Sequence, residues 1–82
     1  MARVVLASTV ANRFAGGQHE FDLPVISVRQ LIRHFEAQFP GLGNEIENAS
    51  AIAINGEIYQ EAFLEKIAPD AEVFILPKIG AG

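Results

Sequence analysis

The sequence contains no cysteine. Neither a disulfide nor a thiolate metal site can therefore support the fold. No apolar run approaches the ~20 residues that span a bilayer. The basic stripe of a nucleic-acid binder is missing too. Two histidines, His19 and His34, and three serines, Ser8, Ser27 and Ser50, make up a thin stock of reactive side chains. No His, Cys or carboxylate spacing completes a metal site. No serine sits in a nucleophile motif with a His–acid pair. Gly16-Gly17 is not followed by the Lys-Ser/Thr of a phosphate loop. These absences argue against an enzyme, a bound cofactor or metal, and against nucleic-acid and membrane partners. Met1 to Val10 joins an early arginine to an apolar run. Ser8 and Thr9 interrupt that run and no cleavage-like segment follows, so it reads as a strand, with the cytoplasm as the expected location.

What is present is a core. Half of the 82 residues are hydrophobic, six of them Phe. A chain this short makes one domain and buries roughly 60–65% of its unfolded surface. The net charge of −4 is uneven: residues 1–41 carry +1 and residues 42–82 carry −5. That asymmetry serves solubility, and it also offers an acidic half to a basic partner.

Residues 3–10 are rich in β-branched types and predict a strand. Asn12 to Gln18, with Gly16-Gly17, predict a turn, and His19 to Leu23 the returning strand of a hairpin. Ser27 with Gln30 three residues on forms a capping box. Val28, Leu31, Ile32, Phe35 and Phe39 then mark one stripe of a helix of about 12 residues, stopped by Pro40-Gly41. Leu42 to Ser50 reads as a mostly polar connection. Ala51 to Ile54 is a buried strand, Asn55-Gly56 a hairpin turn, and Glu57 to Gln60 a short return strand. A single helical turn is expected at Phe63 to Ile67 and a turn at Pro69-Asp70. Glu72 to Leu76 is the last strand, closed by Pro77. The order β-β-α-β-β-β is an α+β layout.

Ala15-Gly16-Gly17, Ile54-Asn55-Gly56-Glu57, Pro69 to Val73 and Leu76 to Gly82 stand in the order and spacing of a known group. The chain resembles the ubiquitin-like, sulfur-carrier branch of the β-grasp superfamily, which includes the molybdopterin synthase small subunit and the thiamine-pathway sulfur carrier. The resemblance implies a mixed sheet of four to five strands with one main helix on one face. It implies a β-grasp domain at residues 1–76 and a flexible tail at 77–82. It further implies that the Gly82 carboxyl is adenylated with ATP by a ubiquitin-activating-like enzyme and converted by a sulfur donor to a thiocarboxylate. The sulfur then serves cofactor biosynthesis, with a synthase large subunit as a further partner. The domain is then a cosubstrate and not a catalyst.

Pro77 to Gly82 can extend about 20 Å, and a terminal glycine leaves its carbonyl unhindered. The chain departs from the usual Gly-Gly ending. After Gly80, Ala81 stands where the penultimate glycine is expected, and Lys78 where a second proline is expected. Ala81 narrows the backbone choices of the tail. Two other readings share these residues: a protein modifier joined through Gly82 to lysine, and an interaction module whose tail is never activated. If Val73 and Ile75 face the helix, Phe74 and Leu76 point outward. Ile58 and Ala7 are expected to join them in a partner-docking patch beside the tail.

Overall fold

The alternation of small and branched apolar residues in the first segment gives β1 (Ala2–Leu6), with Ala2, Val4 and Leu6 buried and Arg3 exposed. The computed structural model describes residues 1–59 and 64–77. β1 is shorter than expected, because Ser8–Phe14 forms a helix, α1, in place of the strand's second half. Val10, Ala11 and Phe14 are spaced as one helical stripe; Val10 and Ala11 are buried and Phe14 packs against the core. Burying that stripe outweighs the β propensity of Ser-Thr-Val. The chain turns at Gly16-Gly17, where the Gly17 amide donates to the Ala11 carbonyl. β2 (Glu20–Leu23) then pairs antiparallel with β1, placing Phe21 opposite Val4. The two strands of the expected hairpin are there; the connection between them is a helix and not a simple turn.

Helix α2 (Val28–Gln38) begins where the capping residues place it. The Gln30 amide donates to Ser27 Oγ at 3.2 Å, and Gln30 Oε1 accepts from the Ile26 amide at 3.0 Å. The reciprocal bond therefore goes one residue further upstream than in a standard capping box. Val28, Leu31 and Phe35 are buried, and the Phe21 ring meets Phe35 edge-on at 5.0 Å.

The expected polar connection after Pro40-Gly41 is instead a third helix, α3 (Leu42–Ala49). Leu42 and Ile46, four residues apart, are fully buried and tie it to the core. Its first turn has no cap from its own side chains. The Glu36 carboxylate of α2 supplies one, accepting from the Gly41 and Gly43 amides at 3.0 Å each. This satisfies orphan donors at a helix start and places a negative charge at its positive end. Gly43 is fixed by the same contact: a Cβ there lies 2.8 Å from Glu36 Cβ and 3.1 Å from the Ile32 carbonyl.

β3 (Ser50–Ile54) and β4 (Glu57–Tyr59) form the second hairpin. Its turn residues Asn55 and Gly56 take φ of 49° and 86°, as the dipeptide predicts. Between β4 and the last strand, the helical turn expected at Phe63–Ile67 is not formed in its described part. Lys66 instead bridges Ser27, with amide bonds Val28 to Glu65 and Ile67 to Ile26; Phe63 lies outside the described residues. β5 (Glu72–Pro77) runs one residue further than expected.

The sheet order is β2-β1-β5-β3-β4, with β5 parallel to β1 and the other pairs antiparallel. The α+β class and the five-stranded mixed sheet agree with the sequence. The main helix is α2, and two shorter helices join it among the described residues. One apolar cluster joins the inner sheet residues Val4, Phe21, Ile52, Val73 and Ile75 to residues of all three helices.

Two changes at the α2–α3 contact test its energetics. Gly43→Ala is expected to lower stability by about 1–3 kcal/mol, because neither the helix carbonyl nor the Glu36 stem can retreat far. Glu36→Ala is expected to cost about 0.5–2 kcal/mol through the lost cap. Urea unfolding midpoints check both, and the double variant should lose less than the sum, since the two positions share one contact.

Candidate functional site at the outer sheet face and the end of β5

Alternation along β5 splits its side chains between two faces. Val73 and Ile75 are completely buried on the helix side, and Phe74 is 38% exposed on the other. The strand register places Val5, Phe74, Ala53 and Ile58 in one row across four strands. Ile58 is 63% exposed. A second row pairs Leu76, half-buried, with Ala51. The two alanines are small and lie low between these larger side chains, at 5% and 7% exposure. The core cluster that holds the helices contains no residue of these rows. Phe74, Leu76 and Ile58 therefore share one face, as the sequence expects. Ala7 does not join them. It occupies the cap position of α1 and packs against the core, because the chain has already left the sheet there.

Toward the start of β5 the same face becomes polar. Arg3 stands between Asp22 and Glu72 in register, and its guanidinium bonds Glu20. This row is not legible in the sequence alone. Its signal was the placement of Arg3, Asp22 and Glu72 on alternate positions of three strands, which becomes meaningful once the register is known.

β5 lies at the centre of the sheet and carries the chain to Pro77 between two neighbours. On one side the Ala7 amide donates to the Ile75 carbonyl at 2.9 Å, just where α1 begins. On the other, Pro77 is opposite Ser50, the first residue of β3. The Ser50 hydroxyl is buried and has no hydrogen-bond partner among the described residues. The expected reactive terminus Gly82, with Gly80 and Ala81, lies outside the described residues.

His19 is exposed and sits 3.9 Å from Glu20, and His34 packs edge-on against Phe35. No group of three His, Cys, Asp or Glu among the described residues is placed to hold a metal. No described helix is long and apolar enough to cross a membrane. An open groove of about 570 Å³, lined by Ile26, Ser27, Gln30 and Lys66 to Pro69, lies at the end of the sheet away from Pro77. On β4, the Tyr59 hydroxyl donates to Glu57 at 2.6 Å, and this bond to a carboxylate holds the phenol's pKa above its ordinary value of 10.0.

The fold is similar to that of three solved proteins. CysO from Mycobacterium tuberculosis matches with a TM-score of 0.79 and 19% identity, over 96% of this chain and 100% of that one. A chain of the BexX/CysO complex from Amycolatopsis orientalis matches with a TM-score of 0.80 and 14% identity, over 100% of both chains. Small archaeal modifier protein 1 from Methanosarcina acetivorans matches with a TM-score of 0.77 and 21% identity, over 99% of this chain and 95% of that one. No family model matches the sequence, and no curated protein is significantly similar to it. The likeness establishes the ubiquitin-like β-grasp fold.

The division of faces has a measurable consequence. Ile75→Ala is expected to cost about 2–5 kcal/mol. Phe74→Ser is expected to cost about 1 kcal/mol, on the scale of strand propensity. Thermal or urea unfolding of the two variants distinguishes a buried from an outward position. Tyr59 is the chain's single tyrosine, so absorbance titration of the phenolate reads it alone. Its midpoint should lie above that of a free tyrosine and fall in Glu57→Gln, which removes the carboxylate.

Proposed function

We propose that this protein is a ubiquitin-like sulfur carrier whose C-terminal Gly82 carboxylate is activated by a partner enzyme. The observation that carries the reading is the position of β5. The strand runs through the middle of the sheet to Pro77, beside an uncovered apolar face of Phe74, Leu76 and Ile58. A partner that grips this face has the chain end directed from the same strand. The fold shared with CysO supports the reading, as does the occurrence of a structurally similar chain in the BexX/CysO complex.

The chemistry follows from the poor reactivity of a carboxylate. Its carbonyl is a weak electrophile and its oxygen a weak leaving group. Attack of the Gly82 carboxylate on the α-phosphorus of ATP forms a mixed anhydride with AMP and releases pyrophosphate. A hydrosulfide-equivalent donor then adds to the carbonyl and displaces AMP, leaving a thiocarboxylate. The domain supplies the acyl group, and the activating enzyme binds the ATP. A biosynthetic synthase of the molybdopterin or thiamine type would receive the sulfur. The role of the carrier is positional: a rigid sheet presents one face for docking and one chain end for reaction.

A second reading is favoured by the similarity to small archaeal modifier protein 1. The same adenylated Gly82 can acylate a lysine amine, which displaces AMP and forms an isopeptide. Both readings need the terminal carboxylate and differ in the nucleophile.

Incubation with a cognate adenylating enzyme, ATP and a sulfur donor should replace one oxygen of the chain by sulfur, seen by intact-mass spectrometry. Deletion of Gly82 should abolish the product. Absence of any adduct from the full chain would falsify the carrier reading. Recovery of Gly82–lysine conjugates from cells would decide for the modifier.

A further inference from the structure

Among the described residues, the charges on this face gather in a border at the start of β5 and on β2. On the outer face of β5, Glu72, Phe74 and Leu76 follow one another at alternate positions, about 7 Å apart along the strand. Leu76 lies toward the chain end and Glu72 away from it. Across the strands from Glu72 come Arg3 and then Asp22, at the usual sheet spacing of about 5 Å. Glu20 follows Asp22 on the same face of β2 and takes the Arg3 guanidinium. Three carboxylates therefore surround a single cation. Asp22 and Glu72 are exposed, and neither forms an ion pair among the described residues. On the rest of this face, Val5, Phe74, Leu76, Ala51, Ala53 and Ile58 carry no charge.

We propose that this border selects the partner: the face accepts a protein surface whose apolar contact is flanked by arginine or lysine side chains that meet Asp22 and Glu72 on either side of Arg3. The inference rests on the reading of the outer face as the docking surface for an activating enzyme, and it adds the chemistry of that enzyme's contact. Asp22 and Glu72, with no ion pair among the described residues, lie about 7 Å from the Phe74 row, where a cation on the partner meets them as the apolar surfaces close. An acidic or neutral contact leaves them facing like charge or apolar surface, so the border acts against wrong partners as well as for the right one. An exposed charge pair of this kind speeds encounter and is weakened by salt.

The test uses the full chain and a cognate ubiquitin-activating-like adenylating enzyme. Pyrophosphate release gives KM and kcat for the wild type and for the double variant Asp22→Lys/Glu72→Lys, at low and high salt. Both side chains are exposed, and circular dichroism checks that the variant is folded. Charge reversal should raise KM about tenfold at low salt with kcat unchanged. The wild-type KM should rise with salt, while that of the variant should not. Wild-type adenylation with a variant KM within twofold overturns this inference and leaves the reading of Gly82 intact. Titration calorimetry with the same enzyme separates the converse case: salt-dependent, border-dependent binding without adenylation sustains the face and removes the activation of Gly82. Absence of any binding removes both. Dimerisation of the chain alone, dissociated by the charge reversal, assigns the face to a second copy and overturns the proposal.

Discussion

The parallel pairing of the first strand with the last organises the whole molecule. β5 enters between β1 and β3, so the end of the described chain becomes the centre of the sheet. Val73 and Ile75 then reach complete burial between the neighbouring strands and the helices. A parallel pair needs a long connection between its strands, and here the connection is nearly all the rest of the protein. Residues 7–71 must fold back so that Glu72 meets Arg3. The same arrangement decides where the chain leaves the sheet, at Pro77 between the starts of α1 and β3.

The two faces of that sheet have different work. The inner face is covered by all three helices, and their packing is close enough that Gly43 admits no Cβ against Glu36 and Ile32. A carboxylate from one helix completes the start of another. The outer face keeps Phe74 and Ile58 exposed beside small alanines, with its described charges in the Arg3 row and at Glu20 on β2. A single sheet can serve both purposes because its side-chain period is two: every residue added to the core places its neighbour outside.

The legible parts of the sequence were those with strong local chemistry. Ser27 and Gln30 placed α2, Asn55-Gly56 placed the second hairpin, and alternation in β5 placed Phe74 and Leu76 outside. The misread parts had conflicting local signals. In residues 8–14 the β-branched Thr9 and Val10 spoke for a strand, and the helical spacing of Val10, Ala11 and Phe14 won through burial. In residues 42–49, Gly43 and four polar or acidic residues masked the Leu42–Ile46 pair. Gly43 weakens a helix in isolation, but here it is the residue that lets two helices touch. Ala7 was assigned to the outer face by extending β1 too far, and the start of α1 took it to the core.

The sequence by itself determined the local devices: the helix cap, the left-handed turn and the alternation of faces. Each depends on a few neighbouring residues and their backbone preferences. Tertiary structure alone decided which strands became neighbours, that Arg3 lies between Asp22 and Glu72, and that an apolar face lies beside the end of β5. Those facts depend on contacts between residues as far apart in the chain as Arg3 and Glu72. Their free energy comes from burying one shared core, which no local window of sequence contains.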